Sequence, residues 1–415
     1  MFSKRTLIPL LLFLYTLRVV VLIRQQEDVT TIDTYSILQV GIIGLLAVVL
    51  LIQRHLWAAI KTLMRSPMLY LMLLYMLGMA SYFWSALPNL SGYFAFQGLV
   101  LIIAIAVYLY HQMRAGQLER AMLIASLVLL AMNVVGHVRI AGVGLNLASW
   151  HTNSYSAVAA MLATYCIGEL ASRESLALKK NRRLLLASLF VSLFFLALGT
   201  SGGSNVAFAA GLVVAALYSG RSAFKVMAVF LFAIILIINV FYTELIFSLL
   251  FPGKTMESVE NLTGRVNLWN FYLQMIEERP LLGWGFAAPE RIGHIYTTNT
   301  HNIALAITAS LGFLGLGLFA LYIISVSRRA LWGRYKAYYG GAVCALAVGL
   351  VNGMSVGFLA SGAGPVFLAF IAWNVLFVLK PLAITQYPQA QRSHPMRGRP
   401  DTLAPARQPA YEFHR

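Results

Sequence analysis

Arg265, Arg279, Arg291 and His301 stand in one stretch of the chain, and their side chains are of the kinds that bind anions and exchange protons. A guanidinium is a permanent cation whose forked donors match phosphate oxygens in pairs. An imidazole titrates near about 6.5 when unperturbed, so it can take a proton from a hydroxyl at neutral pH. Together they offer an anion site and a base. Trp269, Trp284 and Tyr296 lie among them, as aromatic residues gather at any membrane boundary. Plainer roles compete at each position: Arg265 can pair with Glu260 or a lipid headgroup, and a lone interfacial histidine is often structural. A second polar run, Trp150-His151-Thr152-Asn153-Ser154, opens an apolar segment. His151 and Asn153 are either binding groups or simple helix caps. Glu257, Glu260, Glu277, Glu278 and Glu290 share the stretch with Arg265, but no Asp-x-Asp pair occurs in the chain. Cys166 and Cys344 are enclosed in apolar runs. The residues therefore point to metal-independent chemistry without a cofactor.

The elements that must position these groups are membrane helices. Of 415 residues 60% are hydrophobic and only 11% charged, against about 25% charged in soluble domains, so lipid is the solvent for most of the chain. A net charge of +17 would direct a soluble protein to nucleic acid. Here the cations sit in short loops, where they set topology and meet anionic lipid headgroups, and no nucleic acid is expected. A span needs roughly 20 apolar residues. Twelve runs qualify: 6–24, 35–53, 68–87, 92–110, 118–136, 153–172, 184–200, 203–219, 225–250, 302–324, 337–357 and 363–380. The first has no small-residue cleavage site after it and reads as a retained span. Alternate loops are basic, with Lys4 and Arg5, then Arg54 and Arg65, Arg114 and Arg120, Lys179 and Arg183, Arg221, and Arg328 and Lys336. The positive-inside rule puts that side, and both termini, in the cytoplasm. The expected fold is all-α: a polytopic membrane protein of about twelve transmembrane helices, with a membrane domain over 1–380 and a basic, disordered tail over 381–415. Arg18 and Glu169, in or near spans, can snorkel to a surface.

One opposite-side loop, 251–301, breaks the pattern of short connections. Val266, Trp269, Leu273 and Ile276 recur at helical spacing until Pro280, predicting an amphipathic helix on the membrane surface. Arg265 falls in its first turn, where free backbone N–H groups favour anions. His301 and Asn302 stand where the chain re-enters the membrane.

The motifs of this loop resemble those of the O-antigen ligase and polymerase superfamily. They are Thr263-Gly264-Arg265-x-x-Leu268-Trp269, Arg279-Pro280-Leu281-Leu282-Gly283-Trp284-Gly285, His301-Asn302 and Gly312-x-x-Gly315, in that order over roughly 261–320. The resemblance implies a bacterial inner-membrane glycosyltransferase. It implies an undecaprenyl-diphosphate-linked glycan as donor, a glycan or lipid as acceptor and a chain-length regulator as a further candidate partner. His301 and Arg265 are then the catalytic candidates. Arg279, Arg291, Arg139, His151, Asn153, Asn302, Trp269 and Trp284 are the substrate-binding ones. The run around His151 resembles the His-x-Asn segment of succinoglycan-type exopolysaccharide polymerases. Many ligases carry a Ser-Arg-Gly-like turn between spans seven and eight; here it reads Thr200-Ser201-Gly202-Gly203-Ser204, without the arginine. That favours a polymerase over a lipopolysaccharide-type ligase, with Arg139 or Arg291 as substitutes for the missing charge. A multispan transporter is the rival from another class, but transporters keep their polar groups near the bilayer midplane.

Overall fold

Apolar runs joined by short turns fold as antiparallel helices, because in lipid a helix satisfies its own backbone groups. The computed structural model describes residues 6–21, 34–142, 152–172, 175–199, 201–219, 222, 225–226, 265–292, 300–333 and 338–392. Among these the regular structure is helical. The helices are α1 Leu7–Val21, α2 Thr34–Leu51, α3 Leu56–Met64, α4 Met68–Ala80, α5 Pro88–Arg114, α6 Leu118–Gly142 and α7 Thr152–Ala171. They continue with α8 Leu176–Leu198, α9 Gly202–Tyr218, α10 Arg265–Glu278, the single turn α11 Pro289–Ile292, α12 Ile303–Trp332, α13 Gly340–Gly353 and α14 Pro365–Arg392. Eleven of the twelve expected runs coincide with a helix, and most of 225–250 lies outside the described residues. Among the described residues six helices are long and apolar enough to cross a membrane, or seven if the bent pair of α3 and α4 counts as one span.

α7 is the axis of the bundle. It lies against α6, α8, α9, α13 and α14 and is buried over residues 155–166. Ala157, Ala159, Ala160 and Ala163 let those neighbours close in, as small residues do between membrane helices. Near its end a Cβ on Gly168 would stand 2.7 Å from the Gly341 Cα. The end of the bundle at which α7, α9 and α12 begin is the upper end.

Several expectations need correction. α3 lies in what reads as a basic loop; it meets α4 at a bend of 101°. α14 runs to Arg392, past the start of the expected disordered tail. Arg18 and Glu169 do not snorkel. Arg18 is buried, donates to the Tyr15 carbonyl and lies over the rings of Tyr15 at 3.9 Å and Tyr35 at 4.9 Å. Glu169 forms a buried ion pair with Lys380 and accepts from Ser175 Oγ at 2.7 Å.

The largest departure is in α12. At 30 residues it is about 45 Å long at 1.5 Å per residue, well beyond a bilayer's hydrocarbon. Gly312, at φ 63°, breaks it into a lead over 303–311 and a segment over 313–332 that is itself long enough to span. The break frees backbone groups that must find partners, and residues 280–285 supply them. Trp284 N–H donates to the Ala309 carbonyl and Gly285 N–H to that of Ser310, both at 2.9 Å; Phe313 N–H donates to Pro280 O at 2.8 Å. Phe286 N–H reaches Ser81 Oγ at 3.0 Å and Ala86 N–H reaches Trp284 O at 3.0 Å, so the break sits level with the upper end of α4. The lead therefore runs across the upper end, with α10 along it. Leu268, Tyr272 and Ile276 of α10 pack on Ala309 and Leu305, while Val266 and Leu273 of the expected apolar stripe are exposed away from that contact.

Candidate active site

Close approaches at the upper end join four helix starts. A Cβ on Gly199, in the α8–α9 turn, would fall 1.9 Å from Ser156 Oγ in the first turn of α7. A Cβ on Gly203, in the first turn of α9, would fall 2.3 Å from Ser355 Oγ just past α13. The Ser355 carbonyl in turn meets the His301 ring at the start of α12. Trp269, in the second turn of α10, donates its indole N–H to the Thr300 carbonyl at 3.1 Å. Each helix start carries about half a positive charge, so the starts of α7, α9, α10 and α12 make this end attractive to an anion, with the first N–H groups of α9 and α12 already held by Ser201 and Asn302.

His301 has a φ of 52°, a left-handed conformation that costs an L-residue about 1–2 kcal/mol. Its neighbours hold it there. Thr300 is fixed by Trp269, and Asn302 caps α12, its Oδ1 accepting from Ala304 N–H at 2.9 Å and Leu305 N–H at 3.1 Å. The ring Nδ1 lies 3.0 Å from the Ser355 carbonyl. A carbonyl only accepts, so Nδ1 is the donor in this contact, and in the neutral ring the lone pair is then on Nε2.

Arg265 is the first residue of α10 and is half-buried. Burial lowers its pKa, but a guanidinium keeps its charge. Trp269 follows one turn later on the same side of the helix and ties this half of α10 to Thr300. Ser201 Oγ caps α9 by accepting from Ser204 N–H at 3.3 Å and donates to Ser204 Oγ at 3.0 Å. Asn352 Nδ2 also donates to Ser204 Oγ, at 2.8 Å. Buried polar atoms here are incompletely paired: Ser156 Oγ, Thr300 Oγ1, Asn352 Oδ1 and Glu290 Oε1 have no hydrogen-bond partner among the described residues.

The sequence candidates separate in space. His301, Asn302, Trp269 and Arg265 are brought to the upper end together, and half-buried Asn153 begins α7 there. Arg279 is exposed just past the far end of α10, about 20 Å from Arg265 along the helix. Its guanidinium lies 4.0 Å over the Trp284 ring, whose indole N–H donates to Met275 O at 2.8 Å. Both belong to the wedge that docks on the α12 break. Arg291 is half-buried in α11 beside Glu290. Arg139 lies near the end of α6, with its side chain outside the described residues; His151 and Tyr296 lie outside them altogether. Ser204, Asn352, Ser355 and Glu290 were not marked as site residues by sequence reasoning. Ser204 closes the Thr200–Ser204 turn and Glu290 is one of the loop carboxylates, but nothing in the sequence couples Ser355 to a histidine 54 positions earlier.

Residues 187–320 match the family model described as O-antigen ligase. That segment runs from α8 to the middle of α12 and encloses the α8–α9 turn, Arg265 and His301; the match supports a likeness to the O-antigen ligase/polymerase superfamily. The match supports an enzyme of polysaccharide biosynthesis in a multi-pass membrane protein. No curated protein matches the chain.

Proposed function

We propose that the chain polymerises oligosaccharide repeat units carried on undecaprenyl diphosphate, at the periplasmic face of the bacterial inner membrane. The carrying observation is the His301 tautomer. Its Nδ1 is held on the Ser355 carbonyl at 3.0 Å, which gives a base at Nε2 where helix starts and Arg265 favour a diphosphate. In the reaction, the anomeric carbon–oxygen bond to the lipid diphosphate breaks and a new bond forms to an acceptor sugar hydroxyl. Arg265 and the helix starts stabilise the negative charge on the departing diphosphate. His301 Nε2 takes the acceptor's proton. Departure as a stabilised diphosphate needs no general acid, and the transfer is metal-independent on this reading. The basic loops put the upper end outside the cell and both termini in the cytoplasm.

Ligation of the finished glycan to lipid A core or another acceptor is the second reading, favoured by the description of the matched family model. Polymerisation is preferred because α7, which opens with Asn153 of the His-x-Asn run, starts beside the α8–α9 turn. That turn carries no arginine. Deleting the gene and sizing surface glycans with their lipid-linked intermediates separates the two. Single repeat units left on lipid, or capping the acceptor, support the polymerase. Full-length polymer on the carrier with a bare acceptor supports the ligase, and unchanged glycans contradict both.

A further inference from the structure

No side chain of the α8–α9 turn has a part in the mechanism above, yet its serines are bonded into the frame that carries His301. Ser204 Oγ, buried in the first turn of α9, accepts from Asn352 Nδ2 at 2.8 Å and from Ser201 Oγ at 3.0 Å. Asn352 is 1% exposed in the last turn of α13. Its carbonyl accepts from the chain just beyond: from Ser355 N–H at 2.8 Å, Ser355 Oγ at 2.9 Å and Val356 N–H at 2.9 Å. Ser355 is therefore carried by Asn352, and the Ser355 carbonyl is the group that meets His301 Nδ1 at 3.0 Å. Packing supplies an independent second tie. A Cβ on Gly203 would fall 2.3 Å from Ser355 Oγ and 2.8 Å from Ser355 Cβ. The start of α9 is thus joined, by a buried hydrogen bond and by contact, to the carbonyl that orients the imidazole.

We infer that Asn352 is a positioning residue: through its bond to Ser204 it fixes the end of α13 on the start of α9, and so sets the Ser355 carbonyl that holds the His301 ring toward the acceptor. The inference rests on the reading of His301 as the base. Alanine at either 352 or 204 removes the bond. Aspartate at 352 keeps it, since a carboxyl donates to the Ser204 hydroxyl when protonated and accepts from it when ionised. A displacement of about 1 Å at a catalytic group can cost on the order of a hundredfold in rate.

The test uses the full chain in lipid nanodiscs, with lipid-linked repeat units extracted from the deletion strain as donor. Asn352→Ala is expected to lower kcat by about ten- to a hundredfold with KM within about twofold. Asn352→Asp is expected to recover most of that loss. Ser204→Ala should lower kcat in the same way, and the double alanine variant should be no slower than the slower single, because one bond is lost in all three. Should Asn352→Ala fail to fold, Ser204→Ala removes the same bond for the loss of a single hydroxyl, and Gly203→Ala displaces Ser355 by contact; each is expected to give the same kcat signature. A loss expressed in KM alone, no recovery with aspartate, or losses that multiply in the double variant would overturn the inference. An inactive His301→Ala beside fully active Asn352→Ala and Ser204→Ala would overturn it while leaving the base intact. A fully active His301→Ala would remove the base and the inference together.

Discussion

The bundle buries charged and polar groups at both ends, and it treats them differently. At the lower end Glu169 and Lys380 neutralise one another out of contact with solvent, and Ser175 Oγ satisfies the second carboxylate oxygen. The Tyr165 ring lies 5.9 Å from the Lys380 ammonium. At the upper end Ser156, Thr300, Asn352 and Glu290 each keep a buried polar atom without a partner among the described residues. An unmet buried donor or acceptor costs about 1–3 kcal/mol. Tyr165 Oη and Tyr218 Oη, toward the lower end, are unmet as well among the described residues, so incomplete pairing alone does not separate the two ends. What separates them is a neutralised ion pair at one end and, at the other, unmet groups under converging helix starts beside His301.

The comparison can be broken by mutation. The largest effect on catalysis is expected from His301→Ala and Arg265→Ala, which should each lower transfer by about a hundred- to ten-thousandfold at unchanged protein level, read by glycan size against an immunoblot. At the lower end the pattern inverts. Glu169→Ala strands the Lys380 charge and should cost about 3–5 kcal/mol, seen as lost protein in the membrane. Replacing Glu169 and Lys380 together by methionine should restore much of it. Gly312→Ala places a Cβ about 2.1 Å from the Leu281 carbonyl at a positive φ. It should undock the 280–286 wedge, with a lower Tm and partial activity. Smallest is a pH effect on the loop. Burial pushes the Glu290 carboxyl from 4.5 up to about 8, against the opposing pull of Arg291 and the Thr300 N–H, with Tyr272 close by. Between those values the folded loop holds a proton that the opened loop releases, so loop stability falls as pH rises through that window and levels off above it. Proteolysis within 265–300 should therefore be faster at about pH 9 than at about pH 6, and Glu290→Gln should lose that difference.

Periodicity and charge alternation made the membrane helices legible, because lipid imposes a length and an apolar composition that a sequence displays directly. The break in α12 was half legible. Gly312 was visible as part of a motif, but its positive φ depends on backbone donors from residues 280–285, which no local pattern encodes. The helix α10 was legible but its partner was not: Leu268 and Tyr272 pack on the lead of α12, a tertiary neighbour that hydrophobic spacing cannot identify. In the site, Arg265, His301 and Asn302 stood out by residue type and order. Arg279 and Trp284 stood out equally, yet the helix carries them about 20 Å away to brace the wedge. Ser355 meets His301 through its backbone carbonyl, a contact that leaves no mark on residue spacing.

The most direct test of the central claim is transfer by the purified chain in nanodiscs, supplied with lipid-linked repeat units and compared with a folded His301→Ala variant. The account predicts that the native chain lengthens the glycan and releases lipid diphosphate one for one with each bond formed, while the variant does neither at a measurable rate. Equal rates for the two proteins, with equal thermal stability, would contradict it.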